Sequence, residues 1–363
     1  MRILFYHEGR AWTGSARAFA TLARGLSERG HAVTFACPPE TPVEERLEFG
    51  TYEVLALDAD AAAPLAAQRL RRALQERFIQ AVCVHGNREQ LVAASAARLA
   101  ERAAVLRRVP VGEPVALTPR ARFALRLTTT GFVFGCEEDL RRAPPITLAR
   151  LAPAVVPLGV SPALYEATRP ISRASLGAAP ASRLLVCLYG PEGRARAANI
   201  LRVVALLVPR HPELRLVLVG PGSDDGDLRM HAAALRITKH VSFLGERDDQ
   251  LAILAAADLG WVVAGGDDGA YGVLDFLGCR VPVIAERGSV AQLYIPDGIA
   301  GLLLPPGDAH DTAAAVARLL AHEEQRAAMG GAGHGRIVRD HTDAAMVDAF
   351  ERIAEAASDR SRW

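Results

Sequence analysis

Lysine is nearly absent: Lys239 stands alone, and arginine fills every other basic position. With alanine so abundant, that skew reads as GC-rich coding bias and carries no function. Cysteine is sparse. Cys37, Cys83, Cys136, Cys187 and Cys279 lie far apart, mostly in apolar strand-like runs, and no pair has metal-ligand spacing. Buried free thiols in a reducing compartment are the expectation. No apolar run reaches the ~18 residues a membrane-spanning helix needs. The start, MRILFYHEGR, lacks the basic lead, apolar stretch and cleavage site of an export signal. A cytoplasmic location is therefore expected. Net charge is only +1, so bulk electrostatics makes no case for nucleic acid.

What is present is enough for two cores. The chain has 363 residues, half of them hydrophobic and 23% charged, which suggests two globular domains of ordinary size. Residues 1–165 carry 21 Arg against 16 acids; the remainder carries 21 basic residues against 25 acids. The first half could meet an acidic surface or substrate, and ordinary scatter explains the split as well.

Strands and helices alternate. MRILFYH, HAVTFAC, TYEVLALD, AVCVHG, AVLRRV, FVFGC and VVPLGV read as short apolar strands. TGSARAFATLARGLSERG, PLAAQRLRRALQERF and REQLVAASAARLAERA have helical spacing, the first closed by Gly30. Such alternation means βαβ units and a parallel sheet covered on both faces. After a Pro-, Ser- and Ala-rich stretch the pattern restarts with LLVCLYG, LRLVLVGPG, VSFLG, LGWVVAGG and VPVIAERG. The expected organisation is a Rossmann-like domain over 1–163, a linker over 164–183 and a second Rossmann-like domain over 184–340. A helical segment, 341–363, is expected to pack back on the first domain. Two doubly wound α/β domains would place a ligand cleft at the carboxyl ends of their parallel sheets.

Four stretches carry a resemblance: TGSARAFATLARGLSERGHAVTFAC, VVPLGVSPALYEA, VSFLGERDDQLAILAAAD, and GAYGVLDFLGCRVPVIAERG followed by DGIAGLLLPPGD. In this order and spacing, the chain resembles a GT-B glycosyltransferase of the family-4 type, over nearly its whole length. Such enzymes move a sugar from a nucleotide donor with retention. The resemblance implies a donor site mainly on the second domain and an acceptor site mainly on the first. It implies a nucleotide-sugar substrate, a glycan or lipid-linked acceptor, and no metal or other cofactor.

The family has two glutamates with seven residues between them, and this chain has Asp267 and Asp275 at that spacing. The resemblance gives Asp275 the donor's ribose hydroxyls and Asp267 a place near the sugar. A carboxylate can accept two hydrogen bonds from a vicinal diol. Gly269, Ala270, Tyr271 and Gly272 between them would open a helix whose amides suit phosphate. The plainer reading makes Asp267 and Asp268 helix caps and Asp275 a solvated acid.

Relatives place an Arg and a Lys after the first strand of the second domain. Here Pro191 and Ala197 stand at those points, and Arg194 and Arg196 are near enough to bind the diphosphate instead. They also suit the solvated first turn of a helix. Gly14, after Thr13, would approach the donor phosphates, with Ser15 as N-cap. FLGER would bring Gly245 and Glu246 to the nucleobase. His85 resembles the family's histidine at that strand end and would touch the acceptor; a structural histidine is the alternative. Arg107 and Arg108 replace a second histidine, as in some family branches, and could face an acidic or phosphorylated acceptor. His31 reads as structural.

Two other functions stay open. The missing Lys, the paired Glu-to-Asp changes, and Leu158 where relatives often have Asn fit a binding or scaffolding protein that kept the fold and lost the chemistry. The basic, partly amphipathic TPRARFALRL fits peripheral contact with the inner membrane face.

Overall fold

The computed structural model describes residues 1–47, 51–58, 60–128, 130–145, 153–190 and 193–360. The chain divides into two compact units: 1–159 with 343–363, and 160–342. Each is a parallel sheet with helices packed against it.

The first sheet contains β1 (Arg2–Tyr6), β2 (Ala32–Cys37), β3 (Glu53–Ala56), β4 (Ala81–Val84), β5 (Ala104–Val109), β6 (Thr130–Phe134) and β7 (Ala154–Val155). Its spatial order is β3-β2-β1-β4-β5-β6-β7. The order reverses between β1 and β4, so the ends of those strands form the switch point where doubly wound sheets bind ligands. VVPLGV supplies only Val155 to the two-residue β7, and Val156 makes the last ladder bond, to Phe134. β1 and β4 are buried on both faces, as strands covered by helices must be. One face packs Leu4, Tyr6, Val82 and Val84 under the helices Ala63–Glu76 and Asn87–Ala100.

The last helix, Asp343–Arg360, belongs to this first unit. Phe350 reaches Phe5 at 5.8 Å between ring centroids. At the rim, Arg29 pairs with Asp348 and Glu351 at 2.6 Å each. His31 lies between the Met1 amino group at 2.8 Å and Glu351 at 2.5 Å. His31 is thus a fastener for the helix.

The second sheet contains β8 (Arg183–Leu188), β9 (Leu214–Val219), β10 (Val241–Phe243), β11 (Leu259–Val262), β12 (Val283–Glu286) and β13 (Gly301–Leu304), ordered β10-β9-β8-β11-β12-β13. Here the switch lies between β8 and β11. The stretch 164–183 packs into this unit. Tyr165 is buried, Ile171 donates its amide to Ala252, Ser242 bonds Leu176, and Arg173 pairs with Asp258 at 3.0 Å. Its composition suggested a linker, but these bonds across the unit hold it in place.

Phe350 is fully buried against Phe5. Phe350→Ala should therefore cost the first unit about 3–5 kcal/mol. Chemical denaturation followed by hydrogen exchange of the β1 amides would measure it.

Candidate functional site

In the second unit, two helices start at the switch point. Arg194–Leu207 follows β8, and Gly266–Gly278 follows β11. The second helix is set very close to the strands. A Cβ on Gly269 would lie 2.3 Å from the Ala264 carbonyl, and one on Gly272 would lie 2.3 Å from Leu188 Cδ2. Glycine is required at 269, where the obstacle is backbone; at 272 a side chain would need Leu188 to shift.

The helix begins earlier than the sequence suggests. Gly265 is its N-cap, and the Gly269 amide already donates to the Gly265 carbonyl at 2.8 Å. Gly269, Ala270, Tyr271 and Gly272 are interior residues, all buried. They shape the floor; the first-turn amides belong to Gly266, Asp267 and Asp268. The run GGDDG reads as a loop, yet its glycines are what let the helix start against the sheet.

Asp267 and Asp275 are both buried, at 3% and 4% exposure. Asp268 is exposed and lies in the first turn, not at the cap. Eight residues of helix separate the two buried acids by about 12 Å along the axis. They can therefore hold two different parts of one ligand, not one diol together. The Tyr165 hydroxyl donates to Asp275 Oδ1 at 2.7 Å, across 110 residues of sequence. Nothing in the sequence pattern announces that contact.

Arg194 and Arg196 flank this floor. Arg194 is exposed and pairs with Asp227 and, at 3.3 Å, with Asp225 in the turn after β9. Arg196 donates to the Val263 carbonyl at 3.2 Å and approaches Glu286, at the end of β12, at 3.5 Å. Pro191 lies outside the described residues, and Ala197 is fully buried. Gly245 follows β10 with φ +68°, donates to Ser223 Oγ at 3.0 Å, and sits beside the Asp224 carboxylate; Glu246 next to it is exposed.

In the first unit the switch point is organised by Glu89, which the sequence reading did not single out. Its Oε1 accepts from the Glu8 amide at 2.8 Å, and Oε2 accepts from His85 at 2.7 Å and Gly86 at 2.8 Å. One buried carboxylate thus ties the ends of β1 and β4 together. Its place three residues after Gly86, in the first turn of a helix, was a readable capping signal. His85 is buried, stacked on Phe19 at 3.6 Å, with Nε2 3.0 Å from the Ser15 carbonyl. Nε2 therefore carries the proton. Burial first, then Arg108 and His7, push its pKa well below the usual histidine value. His7, 5.7 Å away edge-on, is also lowered, chiefly by burial. Both rings are neutral at pH 7.

Gly14 is the buried first residue of its helix, capped by Thr13, not by Ser15. Arg107 and Arg108 lie in β5. Both are buried, and Arg107 donates to the His85 carbonyl, Asn87 and Gln90. Their guanidinium groups lie inside the fold. Among the described residues, one trio with metal-ligand spacing comes together, His31, Glu351 and Glu355, and Arg29 already pairs with it.

Residues 170–336 match the family described as "Glycosyl transferases group 1". The GDP-mannose-dependent alpha-(1-6)-phosphatidylinositol monomannoside mannosyltransferase of Mycolicibacterium smegmatis is 30% identical over 339 residues, covering 89% of this chain and 82% of that protein. The chain belongs to the group 1 glycosyl transferases. The D-inositol 3-phosphate glycosyltransferase of Saccharomonospora viridis is 31% identical over 54% of this chain and 50% of its own length. The chain spans half or less of the first curated relatives it matches. Anabaena HepE, solved in complex with UDP and glucose, matches 99% of this chain and 100% of its own with a TM-score of 0.79 at 18% identity. That likeness shows a shared GT-B fold. In this group 1 chain, Asp267 and Asp275 are both buried, on the helix that starts at the second unit's switch point.

The histidine shifts have a definite sign. Below about pH 6.5 the unfolded chain takes up protons that the folded rings refuse, so stability of the first unit falls with acidification and is flat above pH 7. The slope is up to about 1.4 kcal/mol per pH unit for each ring. Denaturation at pH 5 and 7 should show it, and His85→Gln should remove the share of that ring and leave the share of His7.

Proposed function

We propose that the chain transfers a sugar, with retention, from a nucleotide-sugar to a hydroxyl of a glycan or lipid-linked acceptor. The observation that carries the donor assignment is the buried pair Asp267 and Asp275 on a helix that starts at the β8/β11 switch point. Asp275 accepts from the ribose diol and Asp267 orients the sugar. Gly245 and Glu246 border the base. The diphosphate leaves against the amides of Gly266–Asp268 and the guanidinium groups of Arg194 and Arg196, which exchange their present carboxylate partners for phosphate. This route assigns the leaving-group charge to protein donors, without a metal. In the first unit, Gly14 serves the donor phosphates and neutral His85 the acceptor side. The relatives' own names, which specify phosphatidylinositol mannoside and inositol phosphate, support a polyol or lipid-linked acceptor.

No described helix is long and apolar enough to cross a membrane. A lipid-linked acceptor would be met at the surface. The helix Pro119–Leu127 leaves Arg120, Arg122, Arg126 and Phe123 exposed, a basic face with one aromatic suited to anionic lipid on the cytoplasmic side.

One observation favours the scaffolding alternative: both candidate phosphate arginines are already ion-paired. Calorimetry with UDP and GDP separates the two readings. On the enzyme reading one of them binds, Asp275→Ala weakens binding by tenfold or more, and the Arg194→Ala/Arg196→Ala pair lowers turnover by at least a hundredfold. Absence of binding in the parent chain would remove the donor assignment. Sedimentation with phosphatidylserine vesicles should capture the parent and lose the Arg120/Arg122/Arg126→Glu triple variant.

A further inference from the structure

We infer that Tyr165 is a positioning residue for donor recognition: its hydroxyl fixes the carboxylate of Asp275 in the orientation that meets the ribose. The inference rests on the assignment of Asp275 to the ribose diol. Three features carry it. The hydroxyl donates to Asp275 Oδ1 at 2.7 Å, and both residues are more than nine-tenths buried. The tyrosine ring lies against Gly278, where a Cβ would come within 2.6–2.7 Å of three ring carbons. Gly278 therefore clears the space in which the ring rests. Finally, an aspartate has one torsion fewer than a glutamate and a shorter reach. Its carboxylate cannot search for a ligand, so its direction must be set beforehand, and one well-aligned bond from a rigid phenol can set it.

The donor direction matters. Tyrosine donates a hydrogen bond to the carboxylate and keeps its own proton, occupying one of roughly four acceptor positions and leaving the others for a diol. A packing role alone would need the ring and not the hydroxyl. A blocking role, with the hydroxyl sitting in place of a ribose hydroxyl, predicts the opposite sign on its removal.

Tyr165→Phe keeps the ring on Gly278 and deletes only the hydroxyl. The measurement is calorimetric affinity for UDP or GDP, whichever binds the parent, and for its 2′,3′-dideoxy counterpart. The parent should prefer the ribose form by at least tenfold. Tyr165→Phe should lose most of that preference, with affinity for the dideoxy form unchanged within twofold. A preference that is retained, or one that grows, overturns the positioning role and leaves the donor reading standing. A parent that binds a diphosphate without preferring ribose overturns the Asp275 assignment and this inference with it. A weaker dideoxy affinity in the variant shows a general packing loss and also overturns it.

Discussion

The switch-point end of the second unit depends on a single close approach. The helix Gly266–Gly278 lies so near the ends of β8 and β11 that position 269 has no room for a side chain and position 272 would need Leu188 to move. That contact places one acid in the first turn and another two turns further on, both out of water. Charged groups are costly to bury unless bonded. Asp275 meets that requirement through the Tyr165 hydroxyl. A methyl group on Gly269 would meet the Ala264 carbonyl and force the helix away from the sheet.

The first unit solves the same problem with different chemistry. Two parallel strands end side by side with three amides that need acceptors, and Glu89 supplies both carboxylate oxygens. Charge-assisted bonds to backbone amides stabilise by about 1.5–3 kcal/mol each. They also fix where His85 and the start of the Gly14–Glu28 helix stand relative to each other, through the Ser15 carbonyl. Arg107 completes the network from β5, which is why it is buried.

Much of this was legible because parallel strands announce themselves as short apolar runs bounded by glycine and polar turns. The acidic pair was legible as two carboxylates eight positions apart just ahead of an apolar strand. Helix starts were harder. GGDDG looks like a loop to any propensity rule, since three glycines disfavour helix, yet tertiary contact overrides propensity there. The stretch 164–183 looks like a linker because proline and serine carry no periodicity; Arg173 and Ile171 pin it by partners far away in sequence. β13, Gly301–Leu304, is four residues in an apolar run of no distinctive period. Tyr165 was illegible for the plainest reason: its partner is 110 residues distant, and one hydroxyl leaves no pattern in a sequence.

The ion pairs of Arg194 and Arg196 fit the donor reading better than they first suggest. An exposed arginine with an exposed aspartate is a weak pair, worth about 0–1 kcal/mol. Arg194 and Asp227 are of that kind, at 53% and 60% side-chain exposure. A diphosphate brings more charge and more acceptor oxygens to the same guanidinium, so exchange is downhill. Arg196 differs, because Glu286 is only 14% exposed and the Val263 carbonyl holds the same guanidinium. Its anchor ties the first turn of the Arg194–Leu207 helix to the ends of β11 and β12. On the donor reading, Arg194 gives up its partners more readily than Arg196, whose bond to the Val263 carbonyl also holds the helix start in place.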